Sequence, residues 1–402
     1  MEQYRKIKAI ISGGGTGGHI FPALSIANKL KELNPETEIL FVGADGRMEM
    51  ERVPAAGYEI IGLPVAGLQR KLTLSNFALP FKVIKSVNMA KKVIRKFKPD
   101  IAIGVGGYAS APLLWAAGRM GIPTLIQEQN GFAGLTNKIL GKKAKSICVA
   151  YEGMERFFPA ERIVLTGNPI RKEIVPTDEA MKTEAMQFYG LDPQKKHLFI
   201  VGGSLGSRTL NEAMQKWITD GCPGGENMQV LWQCGKYYKA GVDAFMGQAK
   251  AEGKKVEGII HSDFIKRMDL AYAAADVVVT RSGASSISEL CAAHKASIFV
   301  PSPNVTEDHQ THNAMALVNK GAALIVKDSE APEKLMGVAL GLLSDNEQIA
   351  KITENVAPLA KPDAAQTIIE EVGYNNEGFF RKIAVKRMVK ITKSYKILFC
   401  FN

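Results

Sequence analysis

The feature that most constrains the fold of this chain is a glycine-rich segment near its start, Ser12-Gly13-Gly14-Gly15-Thr16-Gly17-Gly18-His19. An apolar run, Ile7–Ile11, precedes this segment and an amphipathic run, Phe21–Leu33, follows it. The order predicts a strand, a loop and a helix. Glycines allow positive φ and close backbone approach, and the helix start adds a positive dipole, so several N–H groups can face one anion. The segment therefore predicts an anion-binding loop, with His19 as a titratable group at its exit.

Strands and helices alternate through the first half of the chain. The predicted strands are apolar throughout, and they are Ile7–Ile11, Glu38–Val42, Glu59–Leu63, Ile101–Val105, Thr124–Gln127, Ser146–Ala150 and Ile163–Leu165. The predicted helices between them include Pro22–Leu33, Asn76–Phe97, Pro112–Met120 and Thr136–Leu140. This alternation indicates a parallel sheet covered on both faces, whose ligands bind at the carboxyl ends of the strands. A second glycine loop, Gly104–Tyr108, also lies at such an end.

The second half repeats this design. The segment Gly167–Arg171, with the polar run to Glu184 behind it, predicts a domain junction. The predicted strands beyond it are His197–Val201, Gln229–Gln233, Val256–His261, Asp276–Thr280, Ala296–Val300 and Ala322–Val326. The predicted helices include Thr209–Ile218, Asp243–Ala251, Ser285–Ala293 and Thr311–Lys320, and a glycine loop, Gly202–Ser207, follows the first strand. We therefore predict an α/β protein with two Rossmann-like, doubly wound parallel sheets that face each other across a cleft.

Composition excludes several other classes of protein. A chain of 402 residues with 46% hydrophobic and 23% charged residues is typical of a soluble globular protein with two domains. The net charge is +11, but the last 28 residues hold seven Lys or Arg against one Glu, so the body is too weakly basic to predict nucleic-acid binding. Five scattered cysteines without CxxC spacing indicate reduced thiols. Neither a secretory signal nor a transmembrane helix is expected.

Two segments allow two interpretations each. Leu68–Lys98 mixes bulky apolar residues with nine cations and no acid, which suits either attachment to an anionic membrane or a core with a solvated face. In Thr280–Leu290 a strand ends and small residues open a helix, with Glu289 one turn inside it. That helix start can take a phosphate while Glu289 accepts ribose hydroxyls. Alternatively, Ser285 caps the helix and Ser288 or Glu289 completes a capping box.

Other patterns are weaker. The first glycine loop fits a loose dinucleotide fingerprint, but Asp45 is displaced from the acidic position that a nicotinamide enzyme needs, and the loop recurs in the second half. His309 and His312 have a spacing that could suit a metal, yet no third ligand is evident. Gln310 and Asn313 are better interpreted as hydrogen-bonding groups for a polyol such as a sugar.

Taken in order, these motifs resemble the MurG-type enzymes of glycosyltransferase family 28, which move N-acetylglucosamine from its UDP sugar onto lipid I to give lipid II. The resemblance runs from about Lys8 to Val372. It is carried by Gly13–Pro22, Gly104–Tyr108, Glu128–Gly131, Gly167–Arg171, Gly202–Gly206, Arg281–Ala284 with Glu289, and Gln310 with Asn313. Two departures are His294-Lys295-Ala296, where the family usually has Gly-Lys-Pro or Gly-Leu-Pro, and a basic, apolar tail that continues to Asn402.

The resemblance implies a GT-B fold. Its expected parts are an acceptor- and membrane-binding domain (1–168), a UDP-sugar-binding domain (169–356), a helix returning to the first domain (357–374) and a tail of unknown role (375–402). For UDP-GlcNAc it implies Ser204 at the diphosphate, the Ile265 backbone at the uracil, Glu289 at the ribose and Gln310 at the sugar. The other implied donor residues are Thr16, Gly17, Gly18, Asn130, Arg171, Ala284, Ser285, Ser286, Ile287 and Ser288.

His19, Tyr108 and Glu128 are implied on the acceptor side. His19 is the candidate base for an inverting displacement, with a structural role in the loop or at a phosphate as the alternative. No metal and no cofactor are expected. The expected partners are UDP-GlcNAc, lipid I, an anionic membrane surface at the cytoplasmic face of the inner membrane, and other cell-wall synthesis proteins, without nucleic acid. The remaining alternatives are another GT-B transferase with a lipid or small-molecule acceptor, and a nucleotide-sugar-binding protein without turnover.

Overall fold

The computed structural model describes residues 6–65 and 79–373, which divide into two compact units. Unit 1 comprises residues 6–65, 79–129, 133–169 and 363–373, and unit 2 comprises residues 130–132 and 170–362. The first part of the basic, apolar segment Leu68–Lys98, the predicted helix start at Asn76, and the tail beyond residue 373 lie outside the described residues.

Unit 1 is built on a seven-stranded parallel sheet. Its strands are β1 (Lys8–Ser12), β2 (Glu38–Ala44), β3 (Glu59–Leu63), β4 (Ile101–Gly104), β5 (Thr124–Glu128), β6 (Ser146–Val149) and β7 (Ile163–Leu165). They lie in the order β3-β2-β1-β4-β5-β6-β7. The order reverses between β1 and β4, so the two glycine loops that follow these strands lie side by side at the switch point, where doubly wound sheets bind ligands.

Helices cover both faces of this sheet. They are α1 (Gly17–Leu33), α2 (Glu49–Ala55), α3 (Leu79–Phe97), α4 (Ser110–Arg119) and α5 (Leu135–Gly141). Alternate residues of each strand enter opposite cores: Ile11 packs with Ile26 and Leu30 of α1 on one face, and Ile10 packs with Ile94 of α3 on the other. Burial on both faces explains why the central strands β1 and β4 are almost continuous apolar runs.

Unit 2 is built on a six-stranded parallel sheet. Its strands are β8 (Lys196–Val201), β9 (Met228–Gln233), β10 (Ile259–Ser262), β11 (Val277–Thr280), β12 (Ala296–Phe299) and β13 (Leu324–Ile325), in the order β10-β9-β8-β11-β12-β13. Its helices are α6 (Glu179–Tyr189), α7 (Arg208–Thr219), α8 (Lys239–Ala251), α9 (Met268–Ala274), α10 (Ala284–Ala292), α11 (His309–Val318), α12 (Ala331–Ser344) and α13 (Asn346–Val356). The switch point lies between β8 and β11, ahead of the helix starts of α7 and α10.

The last helix of the described residues, α14 (Ala364–Glu371), belongs to unit 1 and packs beside α1. Ile368 and Ile369 are fully buried in the same core as Ile11. A hydrogen bond of 2.9 Å joins the Ser146 hydroxyl at the start of β6 to Glu371 Oε2. Helix α14 therefore returns the chain to the unit that contains β1.

The predicted fold class is confirmed, with some differences in the elements. Helix α1 begins five residues earlier than predicted, at Gly17, and therefore includes His19. Helix α6 begins inside the polar run that predicted a junction and continues past it, and the Asp178 carboxylate caps its start by accepting the Met181 N–H at 2.7 Å. Helices α2, α9, α12 and α13 were not predicted. Along the described part of the chain, no helix combines the length and the apolar character that crossing a bilayer requires.

Candidate active site

The first glycine loop and His19 form one hydrogen-bonded group in unit 1. Thr16 has extended backbone at the helix N-cap, and its carbonyl accepts the His19 N–H at 3.1 Å. The His19 ring lies with Nδ1 3.0 Å from Gly14 O and 3.3 Å from Thr16 Oγ1. A carbonyl oxygen only accepts, so this contact makes Nδ1 the protonated nitrogen. In the neutral ring, the lone pair is then on Nε2.

The second glycine loop packs directly against the first. A Cβ atom added to Gly106 would lie 2.7 Å from His19 Cδ2, and one added to Gly107 would lie 2.4 Å from Gly14 O. Both glycines also have positive φ, of 103° and 89°. The Ser110 hydroxyl ties the loops together, since it lies 2.7 Å from Gly106 O and 3.1 Å from Ser12 O. Tyr108, in this second loop, is 52% exposed.

Glu49 supports the first loop, and sequence analysis missed it. Its side chain is buried, Oε2 accepts the Gly15 N–H at 2.9 Å, and Oε1 accepts the Ala44 N–H at 3.0 Å. A Cβ at Gly14 would lie 2.1 Å from Oε1, and a Cβ at Gly43 would lie 2.6 Å from Glu49 Cγ. The sequence signal for it is weak: an acid a few residues after β2, with glycines at positions 14 and 43, where a Cβ would meet its side chain.

Glu128 is almost fully buried rather than open to solvent. Its Oε2 accepts the Asn137 side-chain amide at 2.9 Å and the Gly134 N–H at 3.2 Å. In this structure the carboxylate therefore holds the turn into α5. Its implied place on the acceptor side stays a prediction.

A network of buried amide side chains adjoins Glu128. Gln127 Nε2 donates to Asn168 Oδ1 at 2.9 Å, and Asn168 Nδ2 donates to Gln129 O at 3.1 Å. Gln129 Nε2 donates to Val105 O at 2.8 Å, inside the second glycine loop. The carboxyl end of β5 is thus tied both to that loop and to the Gly167–Pro169 segment.

In unit 2, Glu289 is the centre of the site. It is 6% exposed and lies one turn inside α10. Arg171 binds it with two hydrogen bonds, Nε to Oε1 at 2.8 Å and a terminal nitrogen to Oε2 at 2.9 Å. The Tyr272 hydroxyl donates to Oε2 at 3.1 Å. Three of about four acceptor positions of the carboxylate are therefore occupied.

The pKa values of both partners respond to this arrangement. Partial burial tends to lower the pKa of Arg171, but the hydrogen bonds and negative charge of Glu289 outweigh it and raise the pKa above its ordinary value. Full burial, with the Glu289 charge beside it, raises the pKa of Tyr272 well above its ordinary value. Tyr272 is thus a neutral donor and Arg171 a cation wherever the protein is folded near neutral pH.

The N-terminal part of α10 contains the other donor residues that the resemblance implies beside Glu289. Gly283 is the N-cap, and no side chain caps the helix, so the capping-box interpretation with Ser285 as the cap is wrong. Ser285 Oγ is buried without a hydrogen-bond partner in the described chain, and Ser288 Oγ donates to Ala284 O at 3.0 Å. The other two implied residues of this part of α10 are the half-buried Ser286 and the buried Ile287.

Sequence analysis also missed Gln233, which links the implied donor residue Ile265 to the loop that contains the implied donor residue Ser204. Its Oε1 accepts the Ile265 N–H at 2.8 Å, and its Nε2 donates to Gly203 O at 3.0 Å. The exposed Ser204 follows Gly203 directly. Since the Ile265 N–H is bonded to Gln233, a backbone contact to uracil at this residue falls to its carbonyl.

Gln310 and Asn313 lie near the start of α11, and Asn130 belongs to the same unit. Gln310 Oε1 accepts the Ser302 N–H at 2.8 Å, and Asn313 Nδ2 donates to Asn130 Oδ1 at 3.1 Å. The His312 ring stacks on Phe132 with centroids 5.3 Å apart. Within residues 6–65 and 79–373, no three His, Cys, Asp or Glu side chains are grouped to hold a metal ion.

Each unit is a doubly wound, Rossmann-like domain with glycine loops at its switch point, and a chain of two such domains has the architecture of the GT-B glycosyltransferases. Residues 9–149 match the glycosyltransferase family 28 N-terminal domain, and residues 197–368 match the family 28 C-terminal domain. The chain therefore belongs to glycosyltransferase family 28.

Within this family, the chain is similar to proteins that share one name. The chain is 52% identical over 368 residues to the UDP-N-acetylglucosamine–N-acetylmuramyl-(pentapeptide) pyrophosphoryl-undecaprenol N-acetylglucosamine transferase of Bacteroides thetaiotaomicron, covering 92% of this chain and 97% of that one. It is 53% identical to the protein of the same name from Parabacteroides distasonis, over 92% and 98% of the two chains. The crystal structure of Acinetobacter baumannii MurG aligns with a TM-score of 0.72 at 28% identity, over 91% of this chain and 99% of that one.

Proposed function

We propose that this protein transfers N-acetylglucosamine from UDP-GlcNAc to the 4-hydroxyl of the muramic sugar of lipid I, which gives lipid II. The single observation that carries the proposal is Glu289, a buried carboxylate one turn inside a helix that starts at the carboxyl end of a central strand. A carboxylate there accepts two vicinal ribose hydroxyls while the helix start faces a phosphate. Membership of family 28 and relatives that bear the name of this activity support the assignment.

The donor roles follow from the contacts in unit 2. Glu289 takes the ribose, the Ile265 carbonyl takes the uracil, and Ser204 with the helix start near Ser285 takes the diphosphate. Gln310 takes the sugar, and Asn130 completes the donor set with Thr16, Gly17 and Gly18 of the first glycine loop. Cationic and backbone N–H groups supply the positive potential that the departing diphosphate needs.

Binding of the ribose requires a change at Arg171. With Arg171 and Tyr272 bound, about one acceptor position of Glu289 is left, and two hydroxyls need two. Arg171 is 48% exposed, so its guanidinium can leave Glu289 without opening the core. We propose that the donor displaces at least one of the Arg171 hydrogen bonds, and that the freed guanidinium turns to the diphosphate.

The reaction is a single inverting displacement. The acceptor oxygen forms a bond to the anomeric carbon, the bond from that carbon to the β-phosphate oxygen breaks, and its electron pair leaves with UDP. The proton of the attacking hydroxyl passes to Nε2 of His19, the nitrogen that carries the lone pair when Nδ1 donates to Gly14 O. Tyr108 and Glu128 are proposed on the acceptor side. The α-linked donor thereby becomes a β-linked product.

The test is UDP release from UDP-GlcNAc by the purified protein with a short-chain lipid I analogue. A matched analogue whose muramic sugar lacks the 4-hydroxyl is the control, because it keeps every other contact but cannot attack. The proposal predicts release only with the complete acceptor, and a β-1,4-linked disaccharide as product. Donor binding without turnover would point to a nucleotide-sugar-binding protein, and absence of donor binding would contradict the proposal at its root.

We further propose that unit 1 binds an anionic membrane surface, which would place the protein at the cytoplasmic face of the inner membrane. Phe81 and Ile84, one turn apart on α3, are 76% and 59% exposed. Leu135 and Ile139 of α5 are 61% and 59% exposed. Helices α3, α4 and α5 pack in that order, and on α4 Trp115 lies within cation–π distance of Lys91 and Arg119. Exposed apolar groups interleaved with cations are typical of a peripheral membrane surface.

Co-sedimentation with vesicles tests this surface. Phe81→Glu should lower binding to vesicles containing anionic lipid by about tenfold or more, because it removes roughly 2 kcal/mol of apolar transfer and adds a repelled charge. Phe188→Glu is the matched control, since Phe188 is 57% exposed but lies on α6 of unit 2. Equal loss in both variants, or equal binding of the wild type to zwitterionic vesicles, would contradict the proposed surface. Contacts with other cell-wall synthesis proteins are part of the same proposal.

A further inference from the structure

Glu49 is a buried acid to which the proposed reaction assigns no role. Its side chain is about 1% exposed, and both carboxylate oxygens accept backbone N–H groups, of Gly15 and of Ala44. Burying a carboxylate is costly unless hydrogen bonds replace its hydration. Unit 1 thus retains a charge in its interior at the point where the first glycine loop meets the end of β2.

The loop is shaped to admit this carboxylate. Gly14 and Gly43 leave the space that it fills, since a Cβ at either position would lie 2.1 Å or 2.6 Å from atoms of Glu49. Gly15, whose N–H it accepts, has φ of 84°, a left-handed conformation that favours glycine. Glycines at positions 14, 15 and 43 therefore accommodate a fixed internal acid.

One peptide group joins Glu49 to His19. The carbonyl of Gly14 and the N–H of Gly15 belong to the same planar unit. Glu49 Oε2 lies 2.9 Å from the N–H end, and His19 Nδ1 lies 3.0 Å from the carbonyl end. A carboxylate that fixes the plane of this peptide also fixes the direction of the Gly14 carbonyl. Hydrogen bonds in such a chain polarise one another, so the carbonyl becomes a better acceptor for Nδ1–H.

We propose that Glu49 is a positioning residue for His19. Through the Gly14–Gly15 peptide it holds the neutral imidazole in the tautomer with the proton on Nδ1, so that Nε2 is the basic nitrogen. The effect of Glu49 on turnover rests on the proposed function, in which Nε2 takes the proton of the acceptor hydroxyl. The tautomer itself is a property of unit 1 and can be measured without any substrate.

Glu49→Gln is the test variant. The glutamine amide keeps the size of the side chain but has only one acceptor oxygen. That oxygen can accept from Gly15 or from Ala44, and the NH₂ group then faces the N–H of the other residue. The matched control is Glu51→Gln, because Glu51 lies on the same short helix and is exposed. If Glu49→Gln does not fold, Gly14→Ala displaces the same carboxylate from the other side, since its Cβ would meet Oε1.

The measurement is ¹⁵N NMR of protein labelled at the histidine rings, at a pH of about 8.5, where an ordinary imidazole is neutral. His19 is assigned from the signals that His19→Gln lacks. The wild type and Glu51→Gln should show the Nδ1–H tautomer, and Glu49→Gln, or Gly14→Ala in its place, should show a mixture or the Nε2–H form. In the transferase assay, kcat of the test variant should fall about 10- to 100-fold while KM for UDP-GlcNAc changes little.

The outcomes separate this inference from the proposed function. An unchanged Nδ1–H signal in the test variant, or an Nε2–H tautomer in the wild type, overturns the positioning role whatever the activity. A tautomer that depends on Glu49 in a protein without transferase activity supports the positioning role and removes the proposed function. A lost tautomer with unchanged kcat overturns the claim that positioning matters for turnover.

Discussion

The buried carboxylates of Glu49 in unit 1 and Glu289 in unit 2 are held by different kinds of partner. Glu49 in unit 1 accepts hydrogen bonds from two backbone N–H groups, of Gly15 and Ala44. Glu289 in unit 2 accepts hydrogen bonds from two side chains, of Arg171 and Tyr272. The folds around the two carboxylates are alike, with parallel sheets, central switch points and glycine loops.

The difference shows how one architecture provides two functions. A ligand cannot replace the backbone partners of Glu49 without unfolding the loop, so this carboxylate acts on the protein itself. A ligand can replace Arg171, which is half exposed, so Glu289 is able to bind something else. Unit 1 thus has a fixed geometry around His19, whereas we propose that the carboxylate of unit 2 exchanges its partner.

The largest effect is expected at the fixed site. His19→Ala should lower kcat about 10²- to 10⁴-fold, because it removes the group that takes the hydroxyl proton. The affinity for UDP-GlcNAc should stay nearly unchanged, as measured by calorimetry.

The matched control for this prediction is His261→Ala. His261 lies in unit 2, where its Nε2 is 2.8 Å from Asp243 Oδ1. If both histidine variants lose activity equally, or if His19→Ala loses donor affinity rather than turnover, the assignment of unit 1 to the chemical step is wrong.

A smaller effect is expected at Glu289 in unit 2. Glu289→Gln should weaken UDP-GlcNAc binding about 10- to 150-fold, because a hydrogen bond to a charged acceptor contributes about 1.5–3 kcal/mol. Titration calorimetry with UDP-GlcNAc and with UDP measures this loss.

The control for Glu289 is Glu184→Gln, in which an exposed acid paired with Arg267 is neutralised. Equal affinities of the Glu289 variant and the wild type would show that the ribose binds elsewhere, and the contrast between the two carboxylates would lose its functional meaning.

The smallest effect is expected at Tyr272, the buried hydrogen-bond partner of Glu289. Tyr272→Phe removes a fully buried hydroxyl that donates to Oε2 at 3.1 Å, so it should lower the free energy of unfolding by about 1–2 kcal/mol. Thermal unfolding should shift down by a few degrees, and donor affinity should change only a few-fold. A loss of affinity as large as that of Glu289→Gln would mean that Tyr272 contacts the donor directly.

Much of the fold could be predicted because central strands such as β1, β4 and β11 are buried on both faces, which makes each of them an almost uninterrupted apolar run. The start of α1 could not be predicted, since Gly17 and Gly18 are poor helix formers and the tertiary structure determines that Thr16 occupies the N-cap position. Helix α2 was missed because it is short and contains Pro54.

The site was predictable where one stretch of sequence contains it. The glycine loops and Glu289 on its helix start follow local patterns. The contacts of Glu49 with Gly15 and of Gln233 with Ile265 join residues more than 30 positions apart, and no local pattern specifies them. Resemblance to a family names ligand-contacting residues, but it does not reveal the side chains that hold them in place.

A crystal structure of the protein with UDP-GlcNAc bound tests the contrast between the two carboxylates most directly. We predict that both ribose hydroxyls lie within hydrogen-bond distance of Glu289, that Arg171 has left at least one of its oxygens, and that the Glu49–Gly15 and His19–Gly14 hydrogen bonds are unchanged. A ribose bound away from Glu289, with Arg171 still holding both oxygens, would contradict the account.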